Sequence, residues 1–255
     1  MSQTKIEWAD KTWNPVTGCT KVSEGCANCY AESMAKRFTG HFNVTCHPDR
    51  LDQPLKWRKP SRIFVCSMGD LFHDDVPTEF IEKVMLVAYD CPQHTFLVLT
   101  KRPERLQETR VRNLFLNCFM NKTGNIWLGV TAENQEQADW RVPILLEVKA
   151  LAPDTITAFV SIEPMLGPIS IERCVMSSID WIIVGAESGP KRRVMDIYWA
   201  INVVEQCRQA SVPVFVKQVH RSQDGNKFFV CKDVINWPEH LRIQQYPEEA
   251  PCPTD

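Results

Sequence analysis

The chain contains 255 residues, of which 44% are hydrophobic and 24% are charged, and 29 basic against 31 acidic side chains leave a net charge of −2. This composition excludes disordered and fibrous proteins and allows one or two globular domains with a sizeable core. No apolar run approaches the ~18 residues of a membrane span, and the first residues do not resemble a secretory leader, so we expect a cytoplasmic protein without membrane association. In that compartment the 11 cysteines are expected to pack, bind metal or act in redox chemistry rather than form disulfides.

Six short runs of β-branched and aromatic residues predict buried strands. Their spacing is close to the ~30 residues that one strand–helix–strand unit occupies. The runs occupy residues 62–66, 95–99, 126–130, 157–160, 181–184 and 212–216. Alternating strands and helices predict an α/β fold with a parallel sheet. Six to seven parallel strands favour a full or partial (β/α) barrel, and the alternative is an open doubly wound sheet.

The domain organisation follows from the absence of a linker. We predict one barrel domain over residues 1–221 and a small C-terminal extension over residues 222–255, in which Asp224, Gly225 and Asn226 form a hairpin turn before 227–230.

Two helices between the strands are predicted from their apolar faces. The first follows Pro77, and the second begins at the predicted N-cap Asp196. Their sheet-facing residues are predicted to be Phe80, Ile81, Val84, Met85 and Ala88 in the first and Ile197, Ala200, Ile201, Val204 and Cys207 in the second. The cysteines that we predict to pack in the core or on helix faces are Cys91, Cys118, Cys174, Cys207 and Cys231.

Polar side chains follow the predicted strands at their carboxyl ends, which is where parallel α/β folds carry their functional sites. Four carboxylates, basic side chains and hydroxyls stand there: Asp70, Lys101, Arg102, Thr131, Glu133, Ser161, Glu163, Glu187 and Lys217. Because all six predicted strands are followed by polar residues, we predict a polar pocket at this edge of the sheet. Ion pairs within the pocket would limit the free-energy cost of burying charge.

Three cysteines precede the first long strand, and their spacing is C-x6-C-x2-C: Cys19, Cys26 and Cys29. Gly18 and Gly25 let the backbone curl so that the thiolates converge, and a predicted helix from Tyr30 would direct its positive end toward them. Three interpretations remain open at this point. They are a structural zinc site, a chance group of buried thiols, and a 4Fe–4S cluster with one iron left open. A zinc site would need a fourth ligand, for which the sequence offers His41, Cys46 or His47.

The sequence resembles the phage-associated three-cysteine-motif proteins, which are predicted members of the radical S-adenosylmethionine (SAM) superfamily. The resemblance covers most of the chain and rests on segments 12–19, 26–31, 68–72, 99–103, 127–131, 161–164, 184–190 and 215–218. It implies that Cys19, Cys26 and Cys29 hold a 4Fe–4S cluster whose open iron binds SAM. An electron passed through such a cluster would cleave SAM to methionine and a 5'-deoxyadenosyl radical, which abstracts hydrogen from the substrate.

The resemblance also implies roles for the strand-end residues. Tyr30 would contact SAM, Met68, Gly69 and Asp70 would form the turn that receives its ammonium group, and Gly185 would let the backbone approach it. One basic residue, Lys101 or Lys217 among them, would meet the SAM carboxylate. The ribose hydroxyls or neighbouring groups would meet Thr131, Glu133, Ser161, Glu163 and Glu187.

Two features depart from the common superfamily motif. The first cysteine gap is six residues instead of three, and Asn28 stands where an aromatic residue precedes the last cysteine. We therefore expect the adenine contacts to differ from those of the superfamily.

The resemblance implies partners as well. They are an external electron donor of flavodoxin or ferredoxin type, a partner protein and an anionic substrate such as a nucleoside or DNA, in the host cytoplasm if the protein is phage-encoded. Basic residues after the strands agree with an anionic substrate.

Two other functions remain compatible with the residues. One is a zinc-stabilised module that binds nucleic acid or protein without redox chemistry. The other is an enzyme whose strand-end carboxylates bind a hard divalent metal.

Overall fold

A computed structural model describes residue 4 and residues 6–113, 124–222 and 227–247 of the chain. Its strands are β1 (Lys11–Trp13), β2 (Val16–Thr17), β3 (Thr45–Cys46), β4 (Arg62–Val65), β5 (Thr95–Thr100), β6 (Ile126–Thr131), β7 (Thr157–Ile162), β8 (Trp181–Gly185), β9 (Val214–Ser222) and β10 (Phe228–Cys231). Its helices include α1 (Tyr30–Thr39), α2 (Thr78–Tyr89), α3 (Glu104–Gln107), α4 (Gln135–Lys149), α5 (Arg173–Met176) and α6 (Ile197–Ala210). Short 3-10 turns cover Glu24–Cys26, Pro48–Arg50, Pro54–Lys56, Val234–Asn236 and Glu239–Leu241.

All six predicted strands are present, as β4 to β9, and they pair in parallel. The eight-stranded sheet has the order β1-β4-β5-β6-β7-β8-β9-β10, in which β1 is parallel to β4 and β10 is antiparallel to β9. The strands therefore follow their chain order without the reversal of a doubly wound sheet. A full barrel is not formed, because within the described residues β1 and β10 are unjoined edges of the sheet.

The sheet curls around a cluster of aromatic side chains on its inner face. We call Trp8, Phe64, Trp127, Phe159, Trp181 and Phe215 the aromatic floor. The ring of Trp8 lies 4.7 Å from Phe64 on β4 and 6.4 Å from Trp181 on β8. In a flat sheet these two strands would stand roughly 19 Å apart, four strand spacings. Because one indole touches both, the sheet is strongly curved.

The helices pack on the outer face of the sheet, where they form a second and larger core. The five predicted core residues of α2 are all buried. In α6, Asp196 caps the helix by accepting from the Tyr198 amide at 3.0 Å, as its sequence position predicts. Ala200, Val204 and Cys207 are buried there, and Ile197 and Ile201 pack against the core partly exposed.

The segment after β9 belongs to the same sheet. Antiparallel pairing of β9 and β10 confirms the predicted hairpin, whose turn residues Asp224, Gly225 and Asn226 lie outside the described residues. Further along, Tyr246 packs 5.5 Å from Trp181 of the aromatic floor.

The cysteines that we predict to pack in the core or on helix faces differ in their burial. Cys91, Cys207 and Cys231 are buried, whereas Cys174 is exposed on the short helix α5, and Cys118 lies outside the described residues. Among the helices that the structure describes, none has both the length and the apolar character needed to cross a membrane.

Candidate functional site

The three cysteines lie on a loop, residues 18–29, that rests on the carboxyl edge of the sheet. We call it the cysteine loop. Its start is fixed to the turn after β4, where the Gly18 amide donates to the Met68 carbonyl at 2.9 Å. A Cβ atom on Gly69 would lie 2.9 Å from the Gly18 oxygen, so this close approach requires glycine. At the other end of the loop, the Tyr30 hydroxyl donates to the Ser67 carbonyl at 2.6 Å.

Glu133, which follows β6, holds the middle of the cysteine loop. Its Oε1 accepts from the Gly25 amide at 3.1 Å, and its Oε2 accepts from Arg141 of α4 at 2.9 Å. Both charged side chains are fully buried. Burial opposes the ionisation of Glu133, but the charges of Arg141 and Lys101 outweigh it and lower the pKa of this carboxyl. A Cβ atom on Gly25 would lie 2.8 Å from Glu133, which explains the second glycine of the loop.

Glu187, which follows β8, holds the end of the cysteine loop. Its Oε2 accepts from the Asn28 side-chain amide at 3.1 Å and from the Arg193 backbone amide at 2.6 Å. The Arg193 guanidinium also donates to Oε1 at 2.5 Å. Burial opposes ionisation here too, yet the hydrogen bonds from Arg193 and Asn28 lower the pKa of Glu187. Asn28, where the common motif has an aromatic residue, thus connects the loop to β8.

Arg102, two residues beyond β5, contacts the first cysteine directly. Its Nη1 donates to the Cys19 Sγ at 3.2 Å, and its Nη2 donates to the Thr20 carbonyl at 3.0 Å. Asp70, after β4, lies 3.6 Å from the same guanidinium. Four strand ends therefore position the cysteine loop, two through Glu133 and Glu187 and two through the Asp70–Arg102 pair.

The three thiols are half-buried, so they are neither sealed in the core nor free in solvent. Burial, with a smaller effect of Asp70, raises the pKa of the Cys19 thiol to about 11 against the opposing effect of Arg102. Within the described residues, no three His, Cys, Asp or Glu side chains form a group that could hold a metal ion. The proposed zinc ligand set is therefore not assembled there.

An iron–sulfur cluster makes a different demand on the cysteines. In a cubane each cysteine binds a different iron, so the sulfurs surround a cluster instead of converging on one ion. Three half-buried thiols on a fastened loop, one of which accepts a hydrogen bond from a buried arginine, fit such a group.

Each strand-end carboxylate has its own basic partner, as the sequence predicts for buried charges. The pairs are Asp70–Arg102, Glu133–Arg141, Glu163–Lys217 and Glu187–Arg193. Because the carboxylates are neutralised separately and do not converge, they form no site for a hard divalent cation within the described part of the chain.

The predicted cofactor-binding residues divide into an enclosed and an accessible set. The enclosed residues are Asp70, Thr131, Glu133, Ser161, Gly185 and Glu187. The residues with accessible surface are Tyr30, Met68, Gly69, Lys101, Glu163 and Lys217.

In the enclosed set, three carboxylates already bind protein groups, and their contacts with SAM stay predictions. The Asp70 carboxylate accepts from the Phe72 and Lys101 amides and from the Thr100 hydroxyl, whose one proton is shared between the two oxygens. Glu133 and Glu187 each bind the cysteine loop and an arginine.

A second pair of residues explains Gly185. Glu163 binds Lys217 at 2.8 Å and accepts from the Ser161 hydroxyl at 3.2 Å. A Cβ atom on Gly185 would lie 2.7 Å from Glu163 Oε1. Within the described residues, the close approach that needs this glycine comes from Glu163, and the approach of a ligand to Gly185 stays a prediction.

Lys101 differs from the other charged residues of the edge. Its ammonium group makes no hydrogen bond or ion pair that the structure shows within the described residues, although its charge helps to lower the pKa of Glu133. It is therefore available to an anionic ligand.

Arg141 has a role that sequence reasoning missed. It lies on the apolar face of α4, beside Ala138 and Val142, and a charged residue in that position was the available signal.

A cleft of about 820 Å³ lies elsewhere on the molecule, between the start of α6 and the segment after β9. Trp199, His220, Trp237 and Arg242 are among its lining residues, and no predicted site residue is. The cleft is therefore separate from the cysteine loop.

Solved structures of one enzyme share the fold. The protein is similar to spore photoproduct lyase complexed with dinucleoside spore photoproduct, with a TM-score of 0.54 and 11% identity over 91% of this chain and 71% of that one. A single-site mutant of the same lyase with the same dinucleoside gives a TM-score of 0.55 and 12% identity over the same shares. A double mutant with bound AdoMet and the dinucleoside gives a TM-score of 0.51 and 11% identity, again over the same shares. No curated protein matches the chain.

Fold and site together define the class: an α/β protein with a curled, mostly parallel sheet that carries a three-cysteine loop at its carboxyl edge. A family model matches residues 3–234 of the chain, and its description is "Protein of unknown function (DUF5131)". The chain belongs to this family.

Proposed function

We propose that the protein is a radical SAM enzyme in which Cys19, Cys26 and Cys29 hold a 4Fe–4S cluster. The observation that carries the proposal is the fastening of the cysteine loop to four strand ends by Asp70, Arg102, Glu133 and Glu187. Such fixation supports a role in which the position of three thiolates matters. The similarity of the fold to that of spore photoproduct lyase, a radical SAM enzyme solved with AdoMet bound, supports the same function.

The residues of the chain would divide the work as follows. When bound, the cluster supplies the electron that cleaves the sulfonium of SAM and so yields the 5'-deoxyadenosyl radical. The three cysteines bind iron as thiolates, so they release their protons as the cluster enters. Glu133 and Glu187 keep the loop over the concave face, where the accessible members of the predicted set lie.

For SAM itself, we propose contacts from the accessible residues. Lys101, whose ammonium group makes no contact shown within the described residues, meets the SAM carboxylate. Glu163 accepts from ribose hydroxyls while Lys217 balances its charge. Met68 and Gly69 are partly accessible beside the cysteine loop, and Tyr30 lies next to Cys29.

We propose an anionic substrate for this enzyme, and the candidate within that class is DNA, with a nucleoside of the strand as the group that is modified. The solved spore photoproduct lyase complexes hold a dinucleoside, which supports this class. An external electron donor of flavodoxin or ferredoxin type would act in the cytoplasm together with a partner protein.

Anaerobic reconstitution with iron and sulfide tests the cluster. We expect a brown protein that absorbs near ~400 nm and contains about four irons per chain. Cys26→Ala should lose most of this iron, whereas Cys174→Ala, which removes an exposed cysteine elsewhere, should retain it. A colourless protein that binds stoichiometric zinc would instead support the zinc-stabilised module.

A further inference from the structure

Arg102 places a positive charge against one of the three cysteine sulfurs. The arginine is only 2% exposed, and it reaches across 83 residues of sequence to donate to Cys19 Sγ at 3.2 Å. Its other terminal nitrogen donates to both the carbonyl and the hydroxyl of Thr20, at 3.0 and 2.8 Å. One guanidinium therefore donates hydrogen bonds to the sulfur of Cys19 and to the next residue, Thr20.

Contacts with Thr100 and Asp70 also fix the position of Arg102. Its backbone amide donates to the Thr100 hydroxyl at 2.9 Å, and that hydroxyl donates to Asp70. Asp70 also lies 3.6 Å from the guanidinium, which keeps the buried charge compensated. A guanidinium stays protonated throughout the range in which proteins are stable, so this charge is permanent.

The other two sulfurs have no comparable neighbour. Among the contacts shown for the described residues, Cys26 Sγ meets the Ser23 hydroxyl at 3.9 Å, and no charged group donates to Cys26 or Cys29. The three cysteines are therefore electrostatically unequal.

We propose that Arg102 raises the reduction potential of the iron–sulfur cluster by donating a charged hydrogen bond to the sulfur of Cys19. The inference rests on the proposed function. Reduction adds one negative charge to a cluster, and part of that charge spreads onto the ligand sulfurs. A cation that donates to such a sulfur stabilises the reduced state more than the oxidised state. Arg102 is thus a positioning and tuning residue, and Asp70 holds it in place.

The test is a redox titration of the reconstituted full-length protein, followed by the electron paramagnetic resonance signal of the reduced cluster. Arg102→Gln removes the charge, and we expect reduction to become at least tenfold less favourable, a fall of about 59 mV for one electron. Arg102→Lys keeps a charge and loses the two-pronged contact, so its potential should lie between those of the wild type and Arg102→Gln. If Arg102→Gln does not fold, the comparison of Arg102→Lys with the wild type is sufficient, and a lower potential is expected for the variant.

Arg208→Gln serves as the matched control, because it also removes one positive charge. Arg208 pairs with Glu205 on the exposed side of α6, and among the contacts shown for the described residues it meets neither the cysteine loop nor a sulfur, so its variant should titrate like the wild type. A merely structural role for Arg102 would lower the iron content and leave the potential of the loaded fraction unchanged.

Two results would overturn the inference: an unchanged potential in the iron-loaded Arg102 variants, or an equal shift in the Arg208 control. A wild-type protein that binds no iron would instead overturn the proposed function, so the two failures are distinguishable.

Discussion

The two ends of the concave face use the same strands for opposite purposes. At the amino ends, Trp127, Phe159 and Trp181 point inward and form the aromatic floor. At the carboxyl ends, inward positions of the same parity carry Thr131, Glu163 and Gly185. Because every second side chain of a strand lies on the same face, this face carries packed aromatic rings at the amino ends of the strands and polar residues at their carboxyl ends.

The difference shows how stability and function are separated in this fold. The floor consists of rings in mutual contact, such as Trp127 and Trp181 at 5.7 Å, and these rings form a buried cluster on the inner face of the sheet. The edge consists of separate ion pairs, and members of three of them, Arg102, Glu133 and Glu187, contact the cysteine loop. We therefore expect floor variants to unfold the protein and edge variants to alter the loop and its ligands.

The largest effect is expected in the floor. Trp181→Ala removes a fully buried indole that packs against four other rings of the floor, so the free energy of unfolding should fall by about 3–5 kcal/mol. Trp140→Ala, at a side chain that is 45% exposed on α4, is the control and should change stability by less than about 1 kcal/mol. Urea unfolding measures both variants, and equal losses would show that the floor does not stabilise the sheet.

A smaller effect is expected at the edge for a ligand contact. Lys101→Met should weaken SAM binding to the iron-loaded protein about tenfold, because it removes a charged donor to the carboxylate. The iron content should stay unchanged, and Lys83→Met on the outer helix α2 should bind SAM normally. Calorimetry measures the affinity, and unaltered binding in Lys101→Met would contradict the contact.

The smallest effect on stability is expected for an edge carboxylate. Glu187→Gln should cost on the order of 1 kcal/mol, since Arg193 is partly exposed and solvent screens the pair. Trypsin should nevertheless cleave after Lys21 in the cysteine loop faster than in the wild type, as mass spectrometry of early fragments would show. Glu205→Gln, in the exposed pair with Arg208, is the control.

The stability difference for Glu187 should also depend on pH. Its pKa is lower in the folded chain than its ordinary value of 4.5, so the carboxylate stabilises the fold above that value. The contribution is lost as the pH falls through the folded pKa, and the wild type should then approach Glu187→Gln. A difference that persists in acid would show that the charge is not its cause.

The sequence predicts the long strands well because their apolar runs are buried on both faces. β1, by contrast, was missed, since Lys11–Trp13 has three residues with one fully buried side chain and no apolar run. The aromatic floor was missed too, although Trp127, Phe159 and Trp181 stand at inward positions of successive strands and gave a usable signal.

At the site, residue types were predictable and partners were not. The position of Glu133 after a strand follows from the sequence, and so does the need for a compensating cation. The identity of the cation that pairs with Glu133 depends on how α4 packs against β6. This packing brings Arg141 within hydrogen-bond distance of Glu133. The contacts of Glu133 and Glu187 with the cysteine loop could not be predicted either, because each joins residues more than 100 positions apart in the sequence.

The distance in sequence between the cysteine loop and its anchors has a consequence for biosynthesis. Gly25 is made 108 residues before Glu133, and Asn28 is made 159 residues before Glu187. At about 5–20 residues per second, the ribosome needs roughly ten to thirty seconds to complete the second anchor. The thiols therefore emerge unsecured, and we expect iron to enter only after the last strands have left the ribosome.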